Sequence, residues 1–321
     1  MTRVRLRRWL GPLAGAVVLA LLVWRFGADA FLDGVRRLDA TSVAFALVVG
    51  LVTTVAAAWR WTVVARGIGV RVPLRSAVTA YYRSQLVNVT VPGGVVGDVE
   101  RAVRHGRGSG ELAASVRSVG WERFGGQAVQ LALTAVVLLI VPSAFRVMAE
   151  WGAAALLALV VVLGLAGAAA SRFGRGRLTR ALRVAATDLR VGLLSRRALP
   201  RVLLASAIVV AGHAAVVVVA ARATGVEVGL GTLVPLALVV LAGSAIPANV
   251  AGWGPREGVA AWAFAATGLG ATAGVTAAAA YGALVLFAAL PGAVVLVVQG
   301  FRGRHPAPAT PRPAERATAD V

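Results

Sequence analysis

The sequence predicts an all-α, polytopic integral membrane protein of about six spanning helices plus two re-entrant helical hairpins in an inverted-topology repeat. Three observations carry this. Hydrophobic residues make up 59% of the 321 positions and charged residues 14%, with a mean hydropathy of +0.81, far from a soluble globular average. The runs 40–59, 124–145, 151–171, 202–221, 228–255 and 258–301 contain no charged residue, and each is long enough for the roughly 20 helical residues that cross a hydrocarbon core. Between them, loops rich in arginine alternate with loops whose charges balance.

The charge pattern sets the topology. Four arginines lie in 1–8; Arg60, Arg66, Arg71 and Arg75 follow the second apolar run; nine lie in 172–201 against Asp188 alone; and Arg302, Arg304, Arg312 and Arg316 are in the tail. Arg25, Arg36 and Arg37 are instead balanced by Asp29, Asp33 and Asp39, Arg146 by Glu150, and Arg222 by Glu227. By the positive-inside rule the arginine-rich loops are cytoplasmic, and so are both termini of this cell-membrane protein. The net charge of +20 is spread over these loops, which excludes a nucleic-acid-binding face.

The elements follow in order. A helix at 9–24, its flanking arginines snorkelling, leads out as a retained anchor, and one at 41–59 returns. The segment 75–107 starts from a cytoplasmic loop, and the helix at 122–142 must start there too, so 75–107 enters and leaves on one side. Arg83, Gln85 and Asn88 make its first arm too polar to face lipid. Pro92 and Gly97 are the expected breaks. A helix at 152–170 comes back. Leu178, Leu182, Ala185, Leu189 and Leu193 form one stripe of an amphipathic surface helix at 177–199. Helix 202–221 goes out and the last, 272–299, comes in. The stretch 228–270 therefore begins and ends outside, broken at Pro247, Gly252 and Gly254. The repeats are 41–142 and 202–299 within one transmembrane domain, 1–300, and 301–321 is a disordered cytoplasmic tail with Pro306, Pro308, Pro311 and Pro313.

The two hairpins share a spacing. Pro92, Gly97 and Arg101 recur, each displaced by 155 positions, as Pro247, Gly252 and Arg256. Irregular backbone at membrane depth survives only inside protein or a wet cavity, so the tips should meet, with Arg101 and Arg256 converging on one cavity near the midplane. Intramembrane charges are costly and mark function. The substrate-binding candidates are Arg101, Arg256, Asp98, Glu257, Glu100, Asn88, Glu122 and Arg123. A guanidinium forks onto phosphate oxygens, which suits a lipid headgroup crossing an apolar core. The arginines have a second reading, in which they pair with Asp98, Glu100 or Glu257 and lock the hairpins. Glu122 and Arg123, at a helix start, also read as a structural ion pair, and Asp98 and Glu257 as proton carriers. Tyr81, Tyr82, Trp121 and Trp253 read as interfacial anchors, with the lining of a lipid path as the other reading, and His213 as a packed hydrogen-bonding residue.

Catalytic chemistry finds no purchase. The chain has no cysteine and no lysine, so it lacks thiolate sites and the phosphate-cradling Gly-x4-Gly-Lys loop. Its three histidines, His105, His213 and His305, are too scattered for a metal site. No enzyme activity, cofactor or metal is expected.

The run 88–101, from Asn88 through Pro92, Gly97 and Asp98 to Arg101, resembles the signature of the lysylphosphatidylglycerol synthase transmembrane region family, also called the flippase-like domain. Glu122-Arg123 is similar to its recurrent Glu-Arg pair, and Gly252-Trp253-Gly254-Pro255-Arg256-Glu257 to its second-half motif. The similarity covers roughly 9–300. It implies a stand-alone membrane lipid flippase, moving a phospholipid or polyprenyl-linked glycolipid between leaflets with Arg101 and Arg256 on the phosphate. The rival expectation is a non-transporting scaffold for a separate lipid synthase or glycosyltransferase. Val96-Gly97 stands where the family has a double glycine, so the hairpin tip is expected to differ in shape.

Overall fold

The computed structural model describes residues 27–92, 94–141, 144–147, 176–245 and 253–303, with isolated positions at 20–25 and 150–162. Every element among them is helical: α1 Ala40–Gly67, α2 Leu74–Thr90, α3 Val96–Ser109, α4 Leu112–Ile140, α5 Arg177–Asp188, a π turn at Leu189–Leu193, α6 Leu199–Ala223, α7 Leu230–Ser244, α8 Pro255–Ala266, α9 Ala271–Ala289 and α10 Pro291–Gly303. Among the described residues four helices are long and apolar enough to cross a membrane: α1, α4, α6 and the 29-residue stretch Ala271–Gln299 formed by α9 and α10. The expected helices at 9–24 and 152–170, the breaks at Pro247 and Gly252, and the tail lie outside the described residues but for a few positions.

Local chemistry explains the starts. Asp39 caps α1 by accepting the Ser42 N–H at 2.8 Å, and the Ser42 hydroxyl together with this N–H holds its carboxyl below the usual carboxylate range. Pro200 sits in the first turn of α6 and Pro255 opens α8, where the missing N–H has no intrahelical partner to lose. Gly254 precedes α8 at φ +125°, a conformation that side chains avoid, and the Glu257 carboxylate accepts its N–H at 2.6 Å.

The order of two short helices between two long ones occurs twice, as α1 to α4 and as α6 to α9. The two sets meet where α1 packs against α6 and α9. Trp61, Tyr81, Ala102 and Val119 join α1 to α4 in one core, while Val239, Ala260, Phe264 and Ala277 join α7 to α9. Ala46, Val217, Leu241 and Leu284 tie α1 to the second set. α10 lies along α2, where Arg83 donates to Gln299 at 2.6 Å. Large apolar side chains such as Val48, Ile140, Leu204 and Val294 face outward, as lipid contact requires.

Several boundaries differ from those the sequence predicts. α1 continues past 59 to Gly67 and takes Arg60 inside, because that arginine is buried and paired. α4 starts at Leu112, ten residues before 122, for the same reason: Glu122 is fully buried within it. Between α2 and α3 the helix gives way after Thr90, with Gly94 at φ +60°, and Gly97 belongs to α3. A Cβ at Gly97 would fall on the Ser84 carbonyl, so glycine is there for close approach of α3 to α2 and is not the helix break. The stretch 27–36, expected within an external loop, is helical, and Ala30 packs against Ala261 and Val275. The amphipathic helix ends at Asp188, whose carboxylate is buried against Arg117 at 2.7 Å.

Candidate functional site: a charge-lined cavity

Five charged side chains alternate in sign across α1, α3 and α4. Arg60 gives its Nε and Nη2 hydrogens to Glu122 Oε1 at 2.8 and 2.6 Å, and its Nη1 to Ser206 Oγ at 3.0 Å. Glu122 Oε2 accepts from Arg101 Nη2 at 3.2 Å, which also donates to Asp98 Oδ1 at 2.8 Å. Asp98 takes further bonds from Ser84 Oγ at 3.1 Å, from Asn88 Nδ2 at 2.9 Å and from Arg123. The order is Arg60, Glu122, Arg101, Asp98, Arg123. Burying each charge alone would be prohibitive, and the alternation together with saturated carboxylate oxygens makes it tolerable. Local sequence supplies the fit. Gly126, one turn beyond Glu122, leaves room for the Arg60 guanidinium, which a Cβ would approach to 2.7 Å. Asn88 closes the hairpin, its Oδ1 accepting the Gly97 N–H at 2.8 Å.

The second set repeats the device on a smaller scale. Arg256 Nε donates to Glu257 Oε1 at 2.9 Å, and its Nη2 reaches the same oxygen. The guanidinium lies over the rings of Trp253 and Tyr281, 5.5 and 5.1 Å from their centroids. Gly282 leaves space for it, with a Cβ there 2.5 Å from Nη2. Tyr281 OH shares a hydrogen bond of 3.0 Å with His213 Nδ1 on α6.

Two adjoining cavities, of about 290 and 250 Å³, separate these clusters. Gln85, Asn88, Arg123, His213, Ser244 and Tyr281 line both. Arg256 and Pro255 wall the first; Arg60, Asp98, Glu122, Gln127 and Gln130 wall the second. The volume suits a headgroup and not a whole lipid.

The expected site residues therefore separate. Arg123, Arg256, Asn88, Asp98 and Glu122 face a cavity. Glu257 is fully buried behind Arg256. Glu100 turns to Arg83 at 2.9 Å and Arg104 at 3.5 Å and lines neither cavity. Arg101, expected to meet Arg256 in the cavity, lines neither as well. It is 1% exposed, held by two carboxylates and covered by Tyr81 and Trp61 at 4.0 and 4.6 Å from the ring centroids. The first set turns two cations to the cavities: Arg60, buried against Glu122, on the second, and Arg123, with 38% of its side chain exposed, on both. Arg60, Gln85, His213 and Tyr281 escape sequence reasoning. For Arg60 there was a signal: the apolar run resumes at once in Trp61 to Ala65, which continues the helix through it. His213 in an apolar helix carried the ambiguity of any lone buried histidine. Among the described residues no group of three His, Asp or Glu side chains could hold a metal ion.

Long apolar helices enclosing a polar, ion-paired cavity define a multi-pass integral membrane protein. The chain belongs to the family described as the lysylphosphatidylglycerol synthase TM region, which it matches over residues 8–292. Membership gives it a place among membrane proteins concerned with lipid. No curated protein and no solved structure matches the chain.

Proposed function

We propose that this protein is a membrane lipid flippase, not an enzyme, that moves a phospholipid or polyprenyl-linked glycolipid between leaflets of the cell membrane. The observation that carries the reading is the cavity with Arg123 on one wall and Arg256 on the other. Two forked donors facing one headgroup-sized space match phosphate chemistry. Arg123 takes the role that the sequence suggested for Arg101. The twofold order of long, short, short and long helices supports an inverted-topology repeat in which α2–α3 and α7–α8 are re-entrant hairpins, with six spans and both termini cytoplasmic in one domain over 1–300.

The test is translocation of fluorescent lipids in proteoliposomes. Arg123→Gln and Arg256→Gln are each expected to slow it by about 10- to 100-fold, the worth of one charge-assisted hydrogen bond; half-exposed Arg123 should be replaced with little change in thermal stability, whereas Arg256→Gln should also lower it by leaving Glu257 buried without its cation. Unchanged rates in both variants would remove the transport reading. A second reading, a non-transporting scaffold for a separate synthase or glycosyltransferase, is favoured by the pairing of Arg256 with Glu257, which already gives that cation a partner. It predicts no translocation by the purified chain with any lipid.

Topology has an independent check because the chain lacks cysteine. Gly108 and Gly229 both have open space around them. Gly108→Cys should react with an impermeant maleimide from the cytoplasmic side only, and Gly229→Cys from the outer side only. Reaction of both from one side would refute the inverted repeat.

A further inference from the structure

The charges around the cavities do not cancel. Among the described residues that line or back them, the cations are Arg60, Arg101, Arg123 and Arg256, and the anions are Asp98, Glu122 and Glu257. Residues 246–252 contribute no charged side chain. One positive charge is left over, and the bonding locates it. Arg256 is neutralised by Glu257. In the five-membered chain both ends are cations, but Arg60 receives one carboxylate oxygen through two N–H groups, whereas Arg123 shares Asp98 with Arg101, Ser84 and Asn88. Arg123 is the end with exposed area, and it faces both cavities.

We propose that the cavity selects a headgroup carrying one net negative charge, a phosphodiester and not a phosphomonoester or diphosphate; this rests on the lipid-binding reading above. A monoanion beside Arg123 makes the enclosed group neutral. A dianion leaves it negative, and Asp98 and Glu122 on the same wall repel the second charge. A zwitterion leaves the surplus cation uncompensated. Against walls of buried helix such imbalances are screened less than in bulk water, so net charge discriminates among headgroups of similar size.

Two lipid types carry this chemistry: an anionic glycerophospholipid and a polyprenyl monophosphate sugar. The experiment is calorimetric titration of the full-length protein in detergent at pH 8.5, where a phosphomonoester carries close to two charges. The probes are dihexanoyl-phosphatidylglycerol, a water-soluble isoprenyl phosphoglucose, dihexanoyl-phosphatidic acid and dihexanoyl-phosphatidylcholine. At least one of the two monoanionic probes is expected to bind about 10-fold or more tighter than phosphatidic acid and phosphatidylcholine. The tighter of the two identifies the lipid type. Arg123→Gln should erase the preference, and Arg123→Lys, which keeps the charge, should retain it. Phosphatidic acid or phosphatidylcholine binding as tightly as the monoanions overturns the proposal. So does a preference that survives Arg123→Gln in folded protein, or binding by none of the four probes. Absent translocation with this binding preference intact would instead refute the flippase reading alone.

Discussion

Glu122→Gln is expected to destabilise the protein by about 3–5 kcal/mol, the cost of breaking a buried ion pair from one side. The replacement keeps the side-chain volume, removes the charge and turns one of the two acceptor oxygens into an NH2 donor. Glu122 is fully buried and supplies one oxygen to Arg60 and the other to Arg101, so neutralising it leaves Arg60 without a carboxylate and Arg101 with Asp98 alone. Thermal unfolding in detergent reads the effect. The double variant Arg60→Gln, Glu122→Gln should recover part of the loss, since it removes one orphaned cation along with its partner. A shift below about 1 kcal/mol in the single variant, the value of an exposed pair, would mean that Glu122 does not hold the chain of charges together.

Gly97→Ala and Gly282→Ala add the same methyl group with opposite expected outcomes. At Gly97 the methyl meets the Ser84 carbonyl, with Ser84 Cα 2.8 Å away, and backbone cannot step aside. The α2–α3 hairpin must spread and the Asn88 bond to the Gly97 N–H is lost, a cost of about 1–3 kcal/mol for overpacking. At Gly282 the methyl meets Arg256 Nη2 at 2.5 Å, the end of a flexible side chain. The melting temperature should hardly move, while lipid translocation falls because Arg256 is displaced from the cavity wall. Equal melting losses in both variants would show that the two glycines do the same work.

Much of the architecture is legible in the sequence because lipid imposes simple rules on it. Length and hydropathy mark α1, α4, α6 and the Ala271–Gln299 stretch, and the motif arginines fall early in the short helices α3 and α8. Helix ends are less legible. The sequence reading ended helices at charges, as the bilayer requires of unpaired ones, but Arg60 and Glu122 neutralise each other from helices 62 positions apart. No local pattern announces such a pairing. The same blindness exchanged Arg101 for Arg123. Both arginines stand near the hairpin motif, and only packing decides that Tyr81 and Trp61 cover the first while the second reaches open space. Gly97 sits in a motif full of helix breakers, yet its role comes from how closely one backbone crosses another.

The odd cation of the five-membered chain gives the protein an electrical character. Arginine stays protonated at any physiological pH, so the empty cavity keeps a permanent unit charge. A transmembrane voltage does work only on net charge, about 2.3 kcal/mol for each charge moved through 100 mV. With a monoanion seated beside Arg123 the sum is zero and the field has nothing to act upon. If the protein moves a monoanionic lipid as proposed, voltage bears on the return of the vacant protein and leaves the loaded passage nearly untouched.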